Sequence, residues 1–476
     1  MRVKTDKDEI VGYLEDSSNF RGGLCEAVYL PENEADVVEA IEECRKKKRF
    51  LTASGGGTGT VGGRIATEGA MVSTEKLDKI LKLTDEYVEM NAGVVIQDLL
   101  ASIAPLNRFY PPFPTERTAF IGGNIATNAS GEYSFRFGAT RRYIEKVRMV
   151  TGTGEVVELV RGRAKEDSSG TIQVGNFQIQ RPNYTTPSIK CAAGYFSQEG
   201  MDAIDLVIGS EGTFGVITSV GVRLIPSLPE RFILIIFLPG ESRALEFLSE
   251  VRRDMTSQMY TLEFFDEGAL EFLKEDYPEI PNHTCGFFIE SVFSEEMLTQ
   301  WFEISERYQA VNVVASHDSI TYERLLKFRH RLPENINAYF KRLQLTKISL
   351  DIAVPQDKFE ELFRFYRSIT SSTSIQTVLF GHIGENHLHF NFFPKDDGER
   401  EKVQTFCIDS ILKALSLGGT VSAEHGIGKI KHRYLHMMFG DEGIREMIRV
   451  KKIFDPDGIL GPNNLFPIEQ VDSIVQ

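Results

Sequence analysis

Apolar and polar residues switch between two periods along this chain, and the switching divides it into short helices and short strands. EADVVEAIEECRKKK at 34–48 has apolar residues at helical spacing and ends in cations, which suit the carbonyl end of a helix. RFLTAS at 49–54 runs into glycine, AMVST at 70–74 is a predicted strand, 78–93 reads as strands and turns, and VVIQDLLASIA at 94–104 as a helix. The segment 161–203 is polar and irregular and reads as a long loop. Strand character returns over 204–226, and Pro226 and Pro229 mark a break near 228. Beyond it, FILIIFL at 232–238 is too short to span a membrane and predicts a buried strand. Helices are predicted at 242–255, 295–308 and 358–369, strands at 284–293 and 348–355, and a strand turning into a helix over 261–275. VLFGHIG and HLHFNFF (387–393) read as strands. Sheet covered by helices is the natural reading of this α+β pattern.

A chain of 476 residues exceeds one ordinary domain. The expected divisions are 1–228, 229–425, and a Pro- and Gly-containing C-terminal segment, 426–476, that packs back on the first domain. Acidic residues outnumber basic ones, 68 to 53, which argues against a nucleic-acid partner because such binding needs a basic surface. Cys25, Cys44, Cys191, Cys285 and Cys407 are scattered with no CxxC pair, so no disulfide framework, zinc finger or iron–sulfur cluster is expected. The opening MRVKTDKDEI lacks an apolar run, and no secretory signal or transmembrane segment is expected.

Three strings are rich in glycine and small residues. SGGGTGTVGG at 54–63 follows a predicted strand, and its glycines would let backbone N–H groups approach a diphosphate. It is not a Rossmann fingerprint, because no helical apolar run follows, nor a Walker A loop, because the terminal Gly-Lys-Ser/Thr is absent. TAFIGGNIATNASGEYSFRFGATRRYIEKVRMVTGTGEVVEL at 118–159 and IGSEGTFGVIT at 208–218 are the other two. A single such turn is as often a surface loop.

Histidine is concentrated late in the chain. GHIGENHLHFN at 381–391 and TVSAEHGIGK at 420–429 gather His382, His387, His389, Glu424 and His425. In HLHFNFF, Leu388, Phe390 and Phe392 point one way and His387, His389 and Asn391 the other, with the two histidines about 6.6 Å apart along the strand. Two imidazoles so placed can meet one metal ion, with Glu424 as a candidate carboxylate. The alternative is a solvated strand face with hydrogen-bonded histidines.

In order and spacing, the glycine strings resemble the flavin-binding domain of the vanillyl-alcohol-oxidase-type FAD family. The likeness to its D-lactate, glycolate and D-2-hydroxyglutarate dehydrogenase branch runs from about Asp16 to Phe466. It implies an α+β fold: a two-subdomain PCMH-type FAD-binding domain, then an α+β cap (substrate) domain with an antiparallel sheet. By that resemblance Ser54, Gly55, Gly56, Gly57, Thr58, Gly59 and Thr60 cradle the FAD diphosphate. Gly122, Gly123, Asn124, Thr127, Asn128 and Gly131 lie along the flavin side. Glu211, Gly212, Gly215, Val216 and Ile217 close over the adenine or ribose end. The first string has no histidine, so non-covalent FAD is expected.

The resemblance also makes His382 and His389 the imidazole ligands of a divalent metal (Zn or Mn), Glu424 its carboxylate ligand and His425 the base. Asn391 then lies near the substrate, and Arg329 in ERLLKFRHR (323–331), rather than Arg324 or Arg331, binds the substrate carboxylate. Lys347 is a further candidate. His387 stands where the family has asparagine, and is an extra ligand, a polar wall of the pocket or a local substitution. The family's proline–aspartate–proline element is replaced by PPFPTERTAF (111–120), and its Leu-Asn-Pro-Gly by LGPNNLF (460–466).

The implied activity is FAD-dependent oxidation of a D-2-hydroxy acid to the 2-oxo acid. The implied electron acceptor is a quinone, an electron-transfer flavoprotein or oxygen. A homodimer is expected, in the cytoplasm or peripheral at the inner membrane. Two alternatives stay open: an FAD enzyme resembling alkylglycerone-phosphate synthases or sugar-lactone oxidases, and a flavoprotein subunit of low activity.

Overall fold

The computed structural model describes residues 1–343 and 348–473, so Lys347 lies outside the described residues. Two compact units divide the chain. One comprises Met1–Glu132, Gly138–Ser227 and Ser422–Gln476, the other Tyr133–Phe137 and Leu228–Val421. Among the described residues no helix is long and apolar enough to cross a membrane.

The first unit is built on two sheets. In one, the strands Arg2–Lys4, Ala27–Leu30, Ala70–Ser73 and Leu51–Ser54 lie in that order, the last three mutually parallel. The helix Glu34–Lys47 covers it, as its apolar spacing predicts. The Asn33 side chain accepts from Asp36 N–H at its start, Arg45, Lys46 and Lys47 sit in its last turn, and Lys48 closes it in the left-handed region. Its buried Val37, Ala40, Ile41 and Cys44 pack against Tyr29, Leu51, Val72 and Leu460. Leu460 comes from the C-terminal segment, which extends the sheet edge: Leu51 N–H donates to Ile459 O and Gly461 N–H to Leu51 O. A buried pair, Lys451 Nζ to Asp455 Oδ2 at 2.7 Å, pins this segment, and Asp455 also accepts from the N–H groups of Ile459 and Leu460.

The second sheet of this unit is antiparallel, in the order Ile80–Leu83, Tyr87–Asn91, Gly215–Arg223, Ile144–Thr151 and Val156–Val160. The segment 161–203 is less irregular than its polarity suggests. Thr171–Val174 and Phe177–Gln180 form an antiparallel hairpin whose two-residue turn is Gly175-Asn176, with Gly175 at φ 57°.

The second unit is one seven-stranded antiparallel sheet, in the order Asn312–Ala315, Arg231–Leu238, Cys285–Val292, Met259–Phe265, Thr377–Gly381, His387–Phe392 and Ile348–Ala353. The helix Ser319–Leu343 lays Leu325, Phe328, Leu332, Ile336 and Phe340 on one face, against Ile233, Ile235, Phe265, Phe288 and Phe380. The register rows Ile233–Glu290–Thr261 and Phe380–His389–Asp351 place the polar residues of the sheet on that same face. Glu263, two residues from Thr261, shares the face, as do His387 and Asn391 on either side of His389. His387 and Asn391 are 0% exposed and His389 is partly buried, so the solvated face expected for these histidines is not what the strand presents.

Candidate functional site

The strand Thr377–Gly381 ends at a glycine held at φ 124°, where a methyl group would come within 2.9 Å of His389 Cδ2. Residue 381 must therefore be glycine both for its conformation and for the histidine packed on it. A single 3-10 turn, Ile383–Glu385, and a left-handed Asn386 reverse the chain, and His387 N–H donates to His382 O. This tight connection brings three imidazoles together. Ring centroids are 5.3 Å apart for His382 and His387, 5.5 Å for His382 and His389, and 4.7 Å for His387 and His389.

Buried carboxylates lie against two of these rings, and the one at His382 is hydrogen-bonded to it. His382 Nδ1 lies 2.9 Å from Glu263 Oε1, and His387 Nε2 lies 2.8 Å from Asp351 Oδ1. Arg329 donates to the same Glu263 oxygen from Nε at 3.0 Å and Nη2 at 2.9 Å. Burial alone would raise the Glu263 carboxyl's pKa, but Arg329 and His382 outweigh it and hold the group well below the usual carboxylate range. Of the three arginines of 323–331, Arg324 and Arg331 are about half exposed and paired with Glu279 and Glu334, whereas the Arg329 side chain is 10% exposed. Asn391 Nδ2 donates to His389 O at 3.4 Å. A second acid on this face, Glu290, accepts from Arg231 Nε, Tyr133 Oη and Tyr322 Oη on one oxygen. Glu263, Asp351 and Glu290 all escaped the sequence reading. The available signal was a lone carboxylate inside an apolar strand, which must be paired when both faces are covered.

Glu424 and His425 belong to the first unit. Glu424 Oε2 pairs with Lys190 Nζ at 2.8 Å, and His425 Nε2 lies 3.5 Å from Glu424 Oε1. Lys190, in the segment read as a loop, carried no sequence signal. The turn after His425 is clamped from below. Glu211 accepts from Ile427 N–H at 2.8 Å and Gly428 N–H at 2.7 Å, one on each oxygen, and Ser422 Oγ donates to Gly426 O. Gly426, at φ 77°, leaves room for the Glu211 carboxylate, because a methyl group there would lie 2.8 Å from Oε1. Burial raises the Glu211 carboxyl to about 7, with the two N–H groups opposing. The side chain of Glu211 thus serves the 426–428 turn. Asn464, from LGPNNLF, donates to Gly63 O and Glu211 O and joins the same layer.

The residues assigned to a dinucleotide divide into two groups. Gly55 and Gly123 face each other: a methyl group on Gly55 would lie 3.6 Å from Gly123 Cα, while one on Gly59 or Gly123 would meet nothing within 4 Å. Asn124 is 5% exposed, yet its Nδ2 has no hydrogen-bond partner among the described residues. A groove of bare backbone beside a buried, unsatisfied amide fits a polar cofactor. Gly122 and Gly131 instead close on protein, against Ala92 and the carbonyls of Pro112 and Phe113. Thr127 Oγ1 donates to Gly123 O, and Asn128 Oδ1 accepts from Arg141 N–H. Gly215 begins a central strand, Val216 lies in the core with Ile41, and Ile217 is buried. In the departure at 111–120, Glu116 Oε1 accepts from the N–H and hydroxyl of Thr118, which fixes the turn before this groove.

Two described domain families match the chain in order, the second running on from the second unit into the C-terminal residues of the first. Residues 25–160 match the FAD binding domain, and residues 229–465 match the C-terminal domain of FAD linked oxidases. The chain belongs to this family of FAD-linked oxidoreductases. Among its relatives are the D-lactate dehydrogenase of Anaerostipes hadrus, 29% identical over 90% of this chain and 87% of the relative, and the D-2-hydroxyglutarate dehydrogenase of Stutzerimonas stutzeri, 26% identical over 98% and 96%. A solved alkyldihydroxyacetonephosphate synthase shares the fold, with a TM-score of 0.66 at 15% identity over 97% of this chain and 82% of that one.

Proposed function

We propose that this chain oxidises a D-2-hydroxy acid to the 2-oxo acid, with non-covalent FAD as electron acceptor and a divalent metal, zinc or manganese, held by His382, His389 and Glu424. The observation that carries the proposal is the histidine cluster of the second unit, with His382 fixed by Glu263 and the Arg329 guanidinium beside it. A carboxylate on one ring nitrogen leaves the other as a lone-pair donor, which is how metal-ligating histidines are oriented.

Oxidation of the acid releases the hydroxyl proton and the C2 hydrogen with two electrons, and FAD, when bound, would supply that two-electron capacity. A divalent ion would supply Lewis acidity toward the hydroxyl and carboxylate oxygens of the substrate. The chain's own residues do the rest. The His425 imidazole, whose class titrates near neutrality, takes the hydroxyl proton. Arg329 offers a cation to the substrate carboxylate, its fork held by Glu263. Asn391, buried on the same side of the strand as His389, lies near the substrate in this reading. A quinone, an electron-transfer flavoprotein or oxygen then completes turnover.

Anaerobic mixing of the FAD-loaded protein with the D and L forms of lactate and 2-hydroxyglutarate, and with glycolate, tests the proposal. Bleaching of the flavin band by a D acid or by glycolate is the expected result. A protein that takes up no FAD, or whose flavin no 2-hydroxy acid bleaches, would overturn it.

A further inference from the structure

We infer that His387 is a third imidazole ligand of the metal, beside Asp351. The inference rests on the metal site proposed above and adds a ligand to it.

Three observations support it. His387 occupies a position on the polar side of its strand, two residues from His389, and its ring is nearer to His389 than His382 is. Donor atoms of Asp351, His387 and His389 lie within 4.8 Å of one another, a group that does not include His382. Two ligands of one ion at about 2.0–2.2 Å stand no more than about 4.4 Å apart, so the side chains need only small adjustments to share one. A carboxylate also lies against His387, in close contact but without hydrogen-bond geometry. Asp351 is 2% exposed, pairs with His387 at 2.8 Å, and stands directly opposite His389 in the strand register. His382, hydrogen-bonded to Glu263, and His387, in close contact with Asp351, both lie beside His389.

A third imidazole adds a neutral nitrogen donor where an asparagine would offer an amide. Three nitrogens favour a borderline ion such as zinc over a harder ion that prefers oxygen. The chain would accordingly hold its metal more tightly than a site with two imidazoles.

Two measurements on the FAD-loaded full chain test this. X-ray absorption at the edge of zinc bound to the unmodified protein counts imidazoles directly, and three per ion are expected. Chelator competition then compares the unmodified protein with His387→Asn, which should bind zinc at least ten-fold more weakly with unchanged flavin content. Two imidazoles per ion, whatever the variant does, would overturn the inference and leave the proposed function standing. Unchanged zinc affinity in a folded, flavin-loaded His387→Asn would do the same. An unmodified protein that binds no divalent metal would overturn the metal site itself.

Discussion

Glu263→Gln probes the charge arrangement at its centre. The carboxylate is 3% exposed and gathers Arg329 and His382 on one oxygen. An amide keeps one acceptor but removes the negative charge that the buried Arg329 guanidinium and His382 share. Loss of one partner of a buried pair costs about 3–5 kcal/mol, against about 0–1 kcal/mol for an exposed pair. With the amide oxygen retained, we expect the lower end, about 3 kcal/mol. For a domain of this size that lowers the unfolding midpoint by roughly 6–12 °C. The effect should depend on pH with a definite sign. The folded Glu263 carboxyl lies below its ordinary value, so its contribution is fully present above the unfolded pKa of about 4.3 and is lost as pH falls toward the folded value. Thermal or urea unfolding of wild type and variant should therefore differ by a constant amount from about pH 5 to 8 and converge in stronger acid. A variant within 1 kcal/mol of wild type near neutrality, or a gap that acid does not narrow, would refute the reasoning.

Other substitutions separate the remaining roles. Gly123→Val adds a side chain where nothing of the protein lies within 4 Å. It should leave the unfolding of the apoprotein nearly unchanged and lower flavin retention at least ten-fold, read from the ratio of flavin to protein absorbance. Glu211→Gln should flatten the pH dependence of stability. With the folded carboxyl raised to about 7, wild type loses up to about 3 kcal/mol as pH rises from about 4.5 to 7, and the amide does not titrate. His425→Ala should slow anaerobic flavin reduction by about 10²–10⁴-fold with flavin content intact, the range for loss of a general base.

Much of the architecture was legible because hydrophobic period is a local signal. The helix at 34–47 and the strand at 387–392 lie where their apolar residues predict. The hairpin at 171–180 was hidden by the polarity of its neighbours, although Gly-Asn between TIQV and FQIQ is a turn signal in itself. The alternation in HLHFNFF correctly placed His387, His389 and Asn391 on one side, but not the burial of that side. Burial depends on the helix 319–343 and on Asp351, which no local pattern reveals. Partnerships across long sequence separations were out of reach. Glu211 reaches a turn 216 residues away, and Glu263 reaches His382 across 119. Motif spacing records which residues recur together, and does not record which carboxylate turns a histidine ring.

The most direct test of the account is anaerobic flavin reduction by the best D-2-hydroxy acid, measured on the FAD-loaded protein as isolated, after removal of divalent metal, and after zinc or manganese is restored. The account predicts rapid bleaching, a loss of rate on metal removal with FAD retained, and recovery on restoration. Bleaching at the same rate in the metal-free protein would contradict it.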